Sequence, residues 1–150
     1  MDTEYIISHW TNVRARLIET IEKFEDADLD FRPYATAWTV RQLMLHIARE
    51  ENGEFNYGIT QTLKAFPADY NGRDYPTRAS ILTLLNAVHD PIMSYLKTLS
   101  EADLARTIDT PWGATYRLIE MIGHLIEHEI HHRAELSLIL GMLGREGLNA

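Results

Sequence analysis

The chain has 150 residues, of which 45% are hydrophobic and 24% are charged, proportions typical of a soluble globular protein with a single domain spanning residues 1–150. Its formal net charge of -8 argues against a general nucleic-acid-binding protein and against adhesion to anionic membranes, because both require basic surface. The absence of cysteine excludes disulfides and thiolate metal sites, and the lack of a signal-peptide pattern or a long apolar run favours a cytoplasmic location.

Apolar residues spaced three and four positions apart predict the first two helices. The first helix covers about residues 3–25, and its other faces carry charged side chains. After a connection the second helix begins with a capping box, in which Thr39 and Gln42 each accept a hydrogen bond from the backbone of the other. This second helix is expected to continue to about residue 63.

Two further helices follow loops that contain proline and glycine. The third covers about residues 78–99, and Pro91 inside it predicts a kink or a break. The fourth covers about residues 115–142, and no pairs of strands are indicated. The sequence therefore predicts an all-α fold, a four-helix bundle whose long connections allow a non-adjacent connectivity of its helices.

Four histidines lie within nine residues of the fourth predicted helix and form the most informative feature of the sequence. His128 and His132 are four positions apart and therefore lie one turn apart on the same helix face. His124 continues this row, whereas His131 is rotated away and is expected to face solvent or a partner. Since neutral imidazole is a common ligand of zinc, nickel and similar ions, the pair His128 and His132 suggests a metal site.

A third ligand is needed, because a catalytic zinc ion usually has three protein ligands and one position for water. His46 is the best candidate, since it lies among apolar neighbours of the second helix, where an imidazole needs a polar partner. A metal shared with His128 and His132 would supply that partner, although an ordinary hydrogen bond would also do so. His9 and His89 have no such context and are interpreted as structural histidines.

Two carboxylates are expected near this site. Glu50 lies one turn after His46, and Glu135 lies three residues after His132. Either carboxylate could accept a hydrogen bond from a ligand imidazole or act as a base on bound water, and both are therefore candidate catalytic residues. The bland interpretation of each is a solvated glutamate on a helix surface.

Residues 128–132 also match the His-Glu-x-x-His pattern of zinc metalloproteases, in which Glu129 would be the general base. The pattern has only three fixed positions. Leu138 occupies the place of the third histidine of its extended form, and no strand is indicated that could hold a peptide. We therefore disfavour a protease.

Three stretches of the chain resemble the DinB-like (damage-inducible) superfamily of four-helix-bundle proteins. Residues 38–48, which contain His46, are similar to the segment that leads into the family's first histidine, and residues 110–115 precede the last helix in the same way. Residues 128–136 are similar to the family motif histidine-x-x-x-histidine-arginine-glycine-glutamine. The chain departs from this motif at Ala134 and Glu135, where the family usually has glycine and glutamine.

The resemblance implies that His46, His128 and His132 are ligands of a divalent ion, typically nickel or zinc, and that the protein forms a homodimer. Some relatives are transferases or isomerases that use bacillithiol or mycothiol. We therefore expect a metal-dependent enzyme, hydrolase-like or thiol-transferase-like, that acts on a small molecule. The alternative is a non-catalytic dimeric protein that binds metal or serves a stress response.

Overall fold

A computed structural model describes residues 2–147 of the chain. None of the helices in this range is long and apolar enough to cross a membrane. The elements are, in chain order, α1 (Thr3–Glu22), α2 (Val40–Gly53), α3 (Arg78–Leu96), α4 (Glu101–Ala105), β1 (Thr107–Asp109), β2 (Thr115–Arg117) and α5 (Leu118–Met142).

The four long helices form a bundle in which consecutive helices are not always neighbours. Helix α1 packs against α3 and α5, and α2 packs against the same two helices, so that α1 and α2 lie on a diagonal. Helices α1 and α5 run parallel, since Trp10 contacts Glu129 near their middles while Lys23 Nζ reaches the carbonyl oxygen of Gly147 beyond their C-terminal ends. The predicted four-helix bundle with non-adjacent connectivity is confirmed.

Three details of the fold differ from the sequence prediction. Helix α2 ends at Gly53 and passes into a π-helical turn over Glu54–Ile59. Helix α3 continues through Pro91 without the break that was one of the two expected outcomes, and residues beyond the proline, such as Ile92, are buried in the core. Strands β1 and β2 form an antiparallel hairpin that was not expected, since three residues per strand are too few to show a clear alternation of polar and apolar side chains.

The core consists of two hydrophobic clusters that lie towards opposite ends of the bundle. One cluster is built around Leu17, Met44 and Leu85, and the other around Trp10 and Ile92. In sequence, each long helix carries a buried charged or polar residue between its contributions to the two clusters. These four residues, which we call the buried polar layer, are Arg14, Glu51, His89 and Glu129.

The buried polar layer connects all four long helices. The guanidinium Nη2 of Arg14 donates to Glu51 and, at 2.9 Å, to Glu129. His89 Nδ1 lies 2.6 Å from Glu51, and Trp10 Nε1 donates to Glu129 at 3.0 Å. Because a buried charge is tolerated only when it is paired and hydrogen-bonded, these contacts restrict how the helices can rotate and shift against each other.

We predict that Arg14→Ala destabilises the fold strongly, since it leaves Glu51 and Glu129 without their cationic partner. The expected loss in the free energy of unfolding is about 3–5 kcal/mol, measured by urea titration with circular dichroism. Arg16→Ala is the matched control, because Arg16 is half exposed on the same helix, and its effect should stay within about 0.5 kcal/mol. Equal stabilities of the two variants would contradict a stabilising role for the layer.

Candidate metal centre

Helices α2 and α5 bring His46, His128 and His132 together. His128 Nε2 lies 3.1 Å from His46 Nε2 and 3.0 Å from His132 Nε2. The rings of His46 and His132 have centroids 4.8 Å apart and stand nearly perpendicular. The convergence expected from the sequence is therefore observed, and it arises because α2 and α5 are packed side by side.

The geometry of these three imidazoles fits a shared divalent ion. A tetrahedral ion bound at about 2.0–2.1 Å by each nitrogen holds two such nitrogens roughly 3.3 Å apart, close to the spacings found here. His132 Nδ1 lies 2.8 Å from the Glu135 carboxylate, which accepts a hydrogen bond from the Nδ1–H group. The inward Nε2 of His132 is therefore left with the lone pair that a metal ligand needs.

Burial favours the neutral form of His46 and His128. It lowers the pKa of His128 to about 3, and the neighbouring rings of His132 and His46 add to the decrease. Burial also lowers the pKa of His46, although Glu50 opposes this change. Since only a neutral imidazole can bind a metal through its ring nitrogen, the surroundings favour the binding-competent form.

The two carboxylates predicted near the site lie at the outer edges of the imidazole rings of His46 and His132. Glu50 Oε1 is 3.8 Å from His46 Nδ1 and is also paired with Arg49. Glu135 contacts His132 Nδ1 and lies 3.2 Å from His131 Nε2. Both carboxylates therefore contact the side of an imidazole opposite its inward nitrogen, a position suited to orienting the ring.

The metalloprotease pattern does not form a site. Glu129, which would be the general base, is only 2% exposed and belongs to the buried polar layer. His131, at a variable position of the pattern, has a side chain that is 68% exposed and lies 3.2 Å from Glu135. The expectation that His131 faces solvent is consistent with this exposure.

The remaining histidines divide into a buried one and two near the surface. His89 is buried against Glu51, a contact that sequence analysis missed because the two residues lie 38 positions apart. His9 stacks on Tyr5 with ring centroids 5.8 Å apart, as a structural histidine would. His124 Nε2 lies 3.1 Å from Glu54, at the border of the site.

The pair Glu54 and His124 was also missed by sequence analysis. His124 lies one turn before His128, and its ring centroid is 6.3 Å from that of His128. Glu54 follows His46 and Glu50 at intervals of four, which was the available signal, but the π-helical turn that begins at Glu54 could not be read from the sequence. The three-histidine site is thus flanked by an acid–imidazole pair.

Known proteins are similar to this chain in both sequence and fold. The family described as the DinB superfamily matches residues 9–136, a range that contains all three converging histidines. A protein of Bacillus mycoides (strain KBAB4), whose name gives metal-dependent hydrolase as an inferred activity, is 27% identical over 98% of this chain and 90% of its own length.

Two solved structures from Bacillus subtilis are similar to this chain. YfiT, described as a probable metal-dependent hydrolase with an unusual four-helix bundle topology, has a TM-score of 0.66 and 25% identity, and the match covers 93% of this chain and 87% of YfiT. The DinB-like protein YjoA has a TM-score of 0.73 and 21% identity over 97% of this chain and 96% of its own. The latter likeness supports the fold.

We predict that Glu135→Gln weakens metal binding about tenfold or more, since an amide accepts the His132 proton less strongly than a carboxylate does. Zinc affinity measured by competition with a chromophoric chelator would test this expectation. Glu127→Gln is the matched control, because Glu127 is an exposed glutamate of the same helix, and it should bind zinc like the parent protein. Equal affinities for the two variants would exclude a role of Glu135 in holding His132.

A second prediction concerns the protein after removal of metal with a chelator. Because the folded pKa of His128 is about 3 and that of an unfolded histidine is about 6.5, the unfolded chain takes up a proton in this window that the folded chain does not. The contribution to stability is present above about pH 6.5 and is lost as the pH falls towards 3. The free energy of unfolding of His128→Gln, measured by urea titration, should therefore fall less than that of the parent between neutral and acidic pH. Equal losses in the two proteins would contradict the lowered pKa of His128.

Proposed function

The chain belongs to the DinB superfamily, and on that premise we propose that it is a metal-dependent hydrolase whose His46, His128 and His132 hold one divalent ion. The observation that carries this proposal is the convergence of three Nε2 atoms, with spacings of 3.0 and 3.1 Å around His128. The hydrolase names of relatives that match nearly the whole chain support the same assignment.

Three nitrogen ligands suit a catalytic role better than a closed structural site. Structural zinc sites usually use four protein ligands, whereas catalytic sites use three and keep a position for water or substrate. The three-histidine group contains no fourth protein ligand among residues 2–147. Zinc and nickel both accept imidazole nitrogen, and we propose one of these two ions.

Two cavities lie at or near the three-histidine site. A cavity of about 560 Å³ reaches His132 and is bordered by Glu135 and Trp38. A second cavity of about 610 Å³ is bordered by Glu54 and by His124, whose ring centroid is 6.3 Å from that of His128. Cavities of this size accommodate metabolite-sized molecules.

The chemistry assigned to the site is hydrolysis of a small molecule. A bound divalent ion would supply the two contributions that hydrolysis needs, a lower pKa of a coordinated water and polarisation of a substrate oxygen. Glu135 holds His132 in the tautomer that directs a lone pair inwards, and Glu50 lies beside His46 at 3.8 Å. We assign both carboxylates to the orientation of the ligand rings.

We predict that the untagged protein binds about one zinc or nickel ion per chain, measured by elemental analysis after dialysis. His46→Ala, His128→Ala and His132→Ala should each remove most of this metal, because two imidazoles rarely complete a site. His131→Ala is the control within the same helix and should retain the metal, since the His131 side chain is 68% exposed and contacts Glu135. If His46→Ala retained a full complement of metal, the three-histidine site would be wrong.

Activity measurements then separate the hydrolase from the alternatives. The metal-loaded protein should hydrolyse members of a panel of small esters and amides, and removal of the metal should lower kcat/KM at least about a hundredfold while circular dichroism stays unchanged. Turnover that requires an added low-molecular-weight thiol would indicate a transferase instead. Unfolding on chelation, without any turnover, would indicate a structural metal.

A further inference from the structure

The cavity that His124 borders has aromatic and apolar walls. Its volume is about 610 Å³, and its apolar lining consists of Phe66, Trp112, Tyr116 and Met121. Trp112 and Tyr116 are 46% and 41% exposed, respectively, so their rings are accessible to a ligand. We call this space the aromatic cavity.

Two glycines and a tyrosine hold the aromatic walls in place. A Cβ atom at Gly53 would lie 2.2 Å from Phe66 Cζ, and one at Gly58 would lie 2.6 Å from Trp112 Cη2. Only glycine at these positions lets the two rings pack directly on α2 and its π-helical continuation. Tyr57 braces both rings, with centroids 6.1 Å from each. These contacts fix the positions of the two aromatic rings that line the cavity.

The polar lining of the aromatic cavity is acidic. Glu54 has a side chain that is only 15% exposed, and its hydrogen-bonding partner is His124 at 3.1 Å. Burial raises the pKa of Glu54, because its charge is poorly solvated. Glu120 also lines the cavity, and its partner Arg117 lies outside the lining. No lysine or arginine belongs to the described lining, so an incoming cation would meet the carboxylate of Glu54, whereas that of Glu120 is already paired with Arg117.

Aromatic faces combined with a poorly solvated carboxylate are the recognition elements for organic cations. An ammonium group is attracted to each well-placed aromatic face, and most strongly when water is excluded. An anion would gain nothing from the ring faces and would be repelled by Glu54 and Glu120. The cavity should therefore bind a cation more tightly than an anion of equal size.

We propose that the aromatic cavity binds an ammonium group carried on an apolar body, as the non-reacting part of the substrate. That this molecule is the substrate rests on the proposed function. The link between the two sites is His124, which lines the cavity and whose ring centroid is 6.3 Å from that of His128. The binding itself does not require the metal. A failure of the cation-binding proposal can therefore be distinguished from a failure of the proposed metal site.

The test compares two probes of similar size by isothermal titration calorimetry at about pH 8, where a free imidazole is neutral. Benzyltrimethylammonium should bind, and 3-phenylpropanoate, an anion, should bind at least about tenfold more weakly. Both titrations are carried out with the zinc-loaded protein and with His46→Ala, and the cation should bind in each. Equal binding of the two probes, or no binding of the cation, would overturn the proposal.

Variants locate the bound cation. Trp112→Leu should weaken its binding about tenfold, and Glu54→Gln, which keeps the shape of the side chain, should weaken it at least about fivefold. Tyr34→Leu is the control, since Tyr34 is another exposed aromatic residue and borders a different cavity. If Trp112→Leu and Glu54→Gln, both folded by circular dichroism, bound the cation like the parent, the cation would lie elsewhere and the assignment would be wrong.

Discussion

The buried polar layer is the constraint on which the rest of the structure depends. Arg14 of α1 bridges Glu51 of α2 and Glu129 of α5, and Glu51 in turn contacts His89 of α3. Apolar side chains can repack after a helix rotates, whereas a buried ion pair loses its compensation when its geometry changes. One guanidinium group therefore sets the mutual rotation of the helices across the middle of the bundle.

The position of the three-histidine site follows from this rotation. Glu129 directly follows His128 in α5, so directing the glutamate into the core places the histidine on the side of the helix that faces α2. Glu51 plays the corresponding part in α2, where it points into the core and His46 lies on the flank, half-buried against α5. Helices α2 and α5 thus supply residues to the buried polar layer from one face and to the three-histidine site from another.

The sequence predicted those parts of the site that depend on spacing within one helix. His128 and His132 had to share a face, and the capping box of Thr39 and Gln42 fixed the start of the helix that carries His46. The π-helical turn after Gly53 and the contact of Glu54 with His124 could not be predicted in this way. The π-helical turn is a local backbone feature without a sequence pattern of its own. Glu54 and His124 come from different elements, and neither residue carries a pattern that identifies a partner far along the chain.

By itself, the sequence determined the number of long helices and the approximate limits of all but the C-terminal end of α2, because apolar periodicity and capping act over a few neighbouring residues. It also determined that two imidazoles stand one turn apart. Only the tertiary structure decided that His46 faces this pair and that Glu129 is turned into the core. The physical reason is that Arg14 lies 37 residues from Glu51 and 115 from Glu129, and contacts over such separations form only when the whole bundle packs.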